Sequence, residues 1–255
     1  MYPLHNILFL DIETASHYSA FEAMPEEWKD LWTSKAQGLM RHYTEETPES
    51  LYSRAAIYAE FGKIICISCG IIQETGDEKK LVLKSFYCDD EKELLQQFCG
   101  MLTKWNKDGN KTLCAHNGKE FDFPYLCRRM TIHGMKLPGC LQIGGKKPWE
   151  LQLLDTMEMW KFGDFKSYTS LNLLAHVLGI PSPKDDIDGS MVGEIYWGAK
   201  TQDEREASLD RIAVYCQKDV ITVAQVYLRL QSEELISPAN IEIKKYGPNQ
   251  LLVRS

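Results

Sequence analysis

The segment Ile7-Leu-Phe-Leu-Asp-Ile-Glu13 limits what this chain can fold into more than any other. Its apolar residues run without the polar alternation that marks a strand with one wet face, so it predicts a central strand buried on both faces. It is also far shorter than the ~20 residues of a membrane-spanning helix. A strand covered on both sides needs helices above and below it, which selects an α/β architecture.

The rest of the pattern is consistent with that choice. Over about 14–59, Phe21, Trp28, Leu31, Trp32, Leu39 and Met40 recur at roughly helical spacing, predicting a helical insertion after the first strand. Lys63–Gln73 and Lys80–Tyr87 read as strands around the turn formers Glu74-Thr-Gly-Asp77. Asp89–Lys104 is an amphipathic helix with Asp89 or Asp90 as cap, and Leu94, Leu95, Phe98 and Leu102 form its stripe. A strand at Thr112–His116, a helix at Phe121–His133 and a fifth strand at Leu151–Thr156 follow. Further helices are expected over Thr169–Leu178, over Gly189–Ala199 with Asp188 or Ser190 as cap, and over Thr201–Gln231. Ile241–Tyr246 and Leu251–Arg254, around Gly247-Pro-Asn249, suggest a terminal hairpin. The expectation is one α/β domain over 1–255, a mixed five-stranded sheet flanked by helices.

Charge and cysteines exclude several classes of function. The net charge of −7 speaks against a protein that coats nucleic acid through bulk electrostatics. The N-terminus shows no basic, apolar, small-residue leader pattern, so the 8 cysteines are expected as free thiols in a reducing, cytoplasmic setting. Cys66-x-x-Cys69 lies in an apolar strand without a second pair at zinc spacing, and reads as two small core residues.

Four carboxylates stand out by position. Asp11 and Glu13 end the first strand and, by alternation, face the same way, about 7 Å apart, while Ile12 faces the core. Two such acids repel unless a cation lies between them, and oxygen ligands suit Mg²⁺ or Mn²⁺. Read singly, they could equally solvate a strand tip. Asp122 opens a helix just after a strand and loop, where it can point back toward the strand ends or simply face free N–H groups. Tyr215 and Asp219 are i and i+4 on the long helix, whose neighbouring Ile212, Val214, Val220, Ile221 and Val223 place Asp219 near the core. A partly buried carboxylate there needs a metal, a cation or hydrogen bonds.

In this order the elements resemble the DEDD superfamily of 3′–5′ exonucleases. Leu10-Asp-Ile-Glu-Thr14 resembles the first exonuclease motif. Asn117-x4-Asp122, with Phe121, Pro124, Tyr125 and Leu126 around it, resembles the second in its family-B polymerase form. Tyr215-x3-Asp219 resembles the third in its tyrosine form. Glu60-Phe-Gly-Lys-Ile64 and Lys184-Asp-Asp-Ile-Asp-Gly-Ser190 are similar to the bacterial group of predicted 3′–5′ exonucleases related to those proofreading domains.

The resemblance implies a ribonuclease H-like fold and two divalent cations, Mg²⁺ or Mn²⁺, held by Asp11, Glu13, Asp122 and Asp219. Two such ions ~3.5–4 Å apart stabilise both the attacking and the leaving oxygen of an in-line displacement. Tyr215, with a reference pKa of ~10, would orient the attacking water rather than deprotonate it. Thr14 and Asn117 would contact the substrate strand. The implied partner is the 3′ end of single-stranded nucleic acid, DNA before RNA, in replication or DNA repair, with no membrane involved.

Two alternatives remain at this level: an RNA-trimming exoribonuclease of the same superfamily, and a non-catalytic module that binds nucleic-acid ends or a protein. Elsewhere ordinary structural roles are expected. His116 reads as a strand-end hydrogen-bonder, Arg128, Arg129, Lys146 and Lys147 as solvated cations, Asp155 as a strand-end acid beside the site, and Asp186 and Asp188 as turn or cap residues.

Overall fold

A computed structural model describes residues 2–41, 45–76, 78–164, 168–181 and 187–244. The first strand, β1 (Ile7–Ser16), is central and buried as expected. After it come α1 (Glu26–Leu39), α2 (Pro48–Leu51), β2 (Gly62–Thr75), β3 (Glu78–Tyr87) and α3 (Glu91–Trp105). Then β4 (Thr112–Ala115), α4 (Asp122–Ile132), β5 (Leu153–Asp155), α5 (Thr156–Lys161), α6 (Leu171–Val177), α7 (Val192–Gly198), α8 (Gln202–Leu230) and β6 (Ile241–Lys244) complete the order.

The sheet runs β5-β4-β1-β2-β3-β6, with β1–β2 and β2–β3 antiparallel and the other three pairings parallel. It is thus a mixed α/β sheet flanked by helices, with six strands rather than five. The difference lies at the tail. Ile241–Lys244 pairs in parallel with Leu81–Lys84, and the turn and second arm of the expected hairpin lie outside the described residues. Leu251–Arg254 and Asp186 fall outside the described residues.

β1 shows why its sequence reads as it does. Leu8, Leu10 and Ile12 pack into one core with Leu94, Leu95 and Phe98 of α3 and with Phe123 and Leu126 of α4. Ile7 and Phe9 pack on the other face against Val220, Val223, Ala224 and Tyr227 of α8. Residues 11 and 13 continue the odd-numbered series, so their carboxylates belong to the α8 side. The register slips between Glu13 and Thr14, where Glu13 pairs with Cys66 but Thr14 with Ile64.

The insertion builds its own aromatic core. Trp32 is fully buried among Tyr52, Tyr58 and Phe61, and its indole N–H donates to the Pro48 carbonyl at 2.7 Å. It is fastened to the main body by the Tyr125 hydroxyl, which donates to the Ala56 carbonyl at 2.8 Å. Gly62 makes that contact possible, because a Cβ there would lie 2.3 Å from the Tyr125 hydroxyl.

Capping follows the sequence in most places. Asp90 caps α3, Ser170 caps α6, and Thr201 with Glu204 forms a capping box on α8. At α7 the expectation fails. Met191 occupies the N-cap position, because Asp188 folds its carboxylate onto the backbone N–H and hydroxyl of Ser190 in the turn before.

Arg129 also departs from expectation: it is buried, not solvated. Its guanidinium forks onto Glu91 and donates to the Ala59 carbonyl at 2.8 Å, while Glu91 also accepts from the Ile64 N–H at 2.7 Å and pairs with His133. Burial alone would raise the Glu91 pKa, but the Arg129 charge and these hydrogen bonds hold it below the ordinary value. Removing one partner strands a buried charge. Arg129→Ala is expected to lose roughly 3–5 kcal/mol of stability in denaturant unfolding. A loss below about 1 kcal/mol would show that the network does not hold α3 to α4.

Candidate functional site

Three elements bring the five predicted site residues together. β1 supplies Asp11 and Glu13, the start of α4 supplies Asp122, and the middle of α8 supplies Tyr215 and Asp219. Glu13 and Asp122 are buried, at 7% and 3% exposure, and Asp11 is half-buried. The negative charge of Asp219 acts on Asp11, Glu13, Asp122 and Tyr215 alike, so the four carboxylates share one electrostatic site.

Ligand atoms of Asp11, Glu13 and Cys216 lie within 4.8 Å of one another. The Cys216 thiol donates to the Asp11 carboxylate at 3.3 Å and to its backbone carbonyl at 3.4 Å. Sequence reasoning passed over this thiol, although its i, i+3 spacing from Asp219 was the signal that places it on the same helix face. Burial pushes its pKa up, which keeps it the neutral donor in that pair.

The site binds protons strongly for want of a positive charge. Burial first, then the neighbouring carboxylates, drive Asp11 and Glu13 well above their ordinary values. Asp122 is pushed up to about 7 by burial and by the charges of Asp155 and Asp219, against N–H groups that favour its charged form. Its Oδ1 is buried without a hydrogen-bond partner, as is Oδ1 of Asn117. A buried carboxylate oxygen left open beside three other carboxylates fits a hard divalent cation, whose ligands are oxygens. The residues present therefore fit such an ion.

Tyr215 is held differently. Burial, then the charges of Asp219, Glu13 and Asp11, push its phenol far up, and a hydrogen bond to Asp219 adds to the shift. It keeps its proton. Asn117 adopts φ 59°, in the left-handed region, at the turn into α4. Thr14 follows the register slip and lines a cleft of about 1030 Å³, whose other walls include Glu13, Phe21, Phe121, Gly193 and Trp197. Gly189 lines the same cleft, and a Cβ there would lie 3.9 Å from the Tyr215 hydroxyl, so the cleft reaches the tyrosine. The insertion thus supplies one wall of the opening to the acids.

Other predicted residues take structural places. His116 bonds Thr156 and the Thr169 carbonyl at 2.9 and 2.8 Å, and burial lowers its pKa. Arg128, Lys146 and Lys147 are exposed. Asp155 is buried and accepts backbone N–H groups from within the β4–α4 turn and from the start of α5. Cys66 and Cys69 are buried free thiols in β2. Among the described residues no helix is long and apolar enough to cross a membrane.

The family model described as "predicted 3′–5′ exonuclease related to the exonuclease domain of PolB" matches residues 57–250, well over half of the chain. The matched span contains Asn117, Asp122, Tyr215 and Asp219, whereas Asp11 and Glu13 precede it. Comparison with curated proteins gives no match. Among solved structures, the family B DNA polymerase of the hyperthermophilic archaeon Pyrobaculum calidifontis is similar at TM-score 0.46 and 15% identity, over 91% of this chain and 26% of that one. The chain thus spans about a quarter of that polymerase's length.

The raised acids fix the sign of a linkage. Between an unfolded value of ~3.9 and about 7, folded Asp122 holds a proton that the unfolded chain lacks, and this stabilisation is lost as pH rises through 7. A cation competes with those protons. The gain in Tm on adding saturating Mn²⁺ should therefore be larger at pH 8 than at pH 6, where 1 kcal/mol is worth roughly 2–4 °C. His17 and His116, lowered by burial, work in the opposite direction with or without Mn²⁺, so the difference isolates the acids. Equal gains at both pH values, read by calorimetry, would refute the linkage.

Proposed function

The chain belongs to the family of predicted 3′–5′ exonucleases related to the exonuclease domain of PolB, and on that premise we propose that it trims the 3′ end of single-stranded DNA with two divalent cations held by Asp11, Glu13, Asp122 and Asp219. The observation that carries this reading is the open, buried Oδ1 of Asp122 in a cluster of carboxylates whose proton affinity is raised. A structural acid at a helix start is normally satisfied by N–H groups, and this oxygen is not.

Bound divalent cations, Mg²⁺ or Mn²⁺, would supply Lewis acidity and charge neutralisation at the phosphate. The chain's own residues supply the rest. Asp11 and Glu13 present their carboxylates from a strand held in antiparallel register by β2, which fixes their separation without a loop. Tyr215 keeps its proton, so it orients the attacking water by hydrogen bonding and does not serve as base. This is the tyrosine form of the third motif. Thr14 lines the cleft beside Glu13 and can contact the terminal nucleotide, and Asn117 presents an unpartnered amide oxygen beside the start of α4.

Substrate form follows from shape and charge. A cleft of about 1030 Å³ suits an unpaired chain end and not a duplex, and Phe21 and Phe121 on its walls can stack on bases. The net charge of −7 leaves no broad cationic surface, but four of its acids would be offset by the two cations. Binding is then local and salt-sensitive, held by the metal ions at the 3′ end. Relation to a DNA polymerase domain favours DNA over RNA and a place in replication or repair.

Asp219→Ala should abolish release of nucleotides from 5′-labelled oligonucleotide with Mn²⁺, while the fold persists by circular dichroism. Tyr215→Phe should slow release by roughly 10²–10⁴-fold, the range for a group acting on proton position. Full activity in both variants would remove these residues from the site. RNA oligonucleotide assayed beside DNA tests the sugar preference, and faster RNA trimming would reverse it.

A further inference from the structure

We infer that Asp155 is a positioning residue for Asp122, setting the cation affinity of the site without touching cation or substrate. The inference rests on the function proposed above. It begins from a carboxylate that is 2% exposed and, among the described residues, has no Lys, Arg or His ion-pair partner. Such a charge is costly unless hydrogen bonds hold it.

Its partners are backbone N–H groups from two elements. Oδ1 accepts from Asn117 at 2.9 Å and from Met157 at 2.9 Å, with Glu158 farther at 3.4 Å. Oδ2 accepts from Lys119 at 3.0 Å. The first and last of these groups belong to the turn between β4 and Asp122, while the Met157 and Glu158 donors open α5. One side chain therefore caps α5 and gathers the turn that delivers Asp122.

That turn needs holding. Asn117 sits at φ 59°, which a non-glycine residue adopts at a cost. Gly118 has no room for a side chain, since a Cβ would lie 2.4 Å from Ala115 Cβ and 3.0 Å from the Phe123 ring. The turn is thus tight, strained and packed, and the N–H groups of Asn117 and Lys119 point inward to Asp155 rather than to water. A second tie, Lys119 Nζ to Glu158 at 2.6 Å, joins the same two elements. The charge of Asp155 also reaches Asp122 and adds to the negative field that a cation would relieve. Geometry and charge act in the same direction, toward tighter cation binding.

Asp155→Asn keeps the shape but removes the charge and turns two acceptor oxygens into one. Two readouts separate the inference from the reading it rests on. Hydrogen exchange of the Asn117 and Lys119 amides should accelerate in the variant at least tenfold, with or without Mn²⁺. Mn²⁺ affinity by titration calorimetry should weaken by roughly 10–100-fold, the usual effect of groups that orient metal ligands. Thr201→Ala, which removes the cap of α8, serves as control: it should lower Tm while leaving Mn²⁺ affinity unchanged.

Unchanged amide exchange in Asp155→Asn would overturn the inference, whatever happens to cleavage. Unchanged Mn²⁺ affinity in the folded variant would overturn it too. If Asp155→Asn does not fold, Asp155→Glu, which keeps the charge but displaces the carboxylate, is held to the same two criteria. Absence of Mn²⁺ binding in the unaltered chain would instead sink the proposed function, leaving the exchange result to decide the role of Asp155.

Discussion

Two-sided burial of β1 is the constraint on which the other features depend. Leu8, Leu10 and Ile12 belong to the α3 and α4 core, and Ile7 and Phe9 to the α8 core, so no side chain of that stretch is free to face water. The alternation that fills both cores carries on past Leu10, and it delivers two carboxylates to the α8 side of a largely water-free sheet. Desolvation then sets their chemistry. A pair of acids at a wet strand tip would ionise independently, whereas here burial and mutual repulsion leave them short of positive charge.

The rest of the molecule is arranged about that shortage. α8 crosses the sheet as one helix of 29 residues and brings Tyr215, Cys216 and Asp219 to the strand end in a single stretch. The thiol donates to the Asp11 carboxylate and ties α8 to the end of β1. α4 begins where its first residue can join the same cluster, and its far end is fixed by the buried Arg129–Glu91 pair. Site and core are therefore not separate structures. The elements that carry the acids are also those whose apolar faces make the two largest cores.

Much of this was legible in the sequence, because its signals are local. A run of apolar residues, the capping Asp90 and the i, i+4 pair on α8 each speak within a few residues. What sequence missed depends on contacts between distant segments. The sixth strand has only four residues and joins the main sheet by pairing with β3, a place that its short run alone does not announce. Arg129 looks like any helix cation until Glu91, 38 positions earlier, is packed against it. Met191 displaced the expected cap of α7 because Asp188 had a nearer partner in Ser190. Asp155 marks the boundary: its position at a strand end is visible in sequence, but its four backbone donors lie in two different turns.

The slip in pairing after Glu13 bears on how such a protein can change. Up to that residue β1 keeps one register with β2, and over Ile7–Phe9 it also pairs with β4, while beyond it the pairing with β2 runs in a new register, which lets the strand bend. The break works as a mechanical decoupler. Whatever chain is added or lost between β1 and β2 pulls on the strand downstream of the break, and the acids upstream stay put. The aromatic module between β1 and β2 can then be exchanged or lengthened, remodelling the opening to the cleft, while the arrangement of the carboxylates is inherited intact.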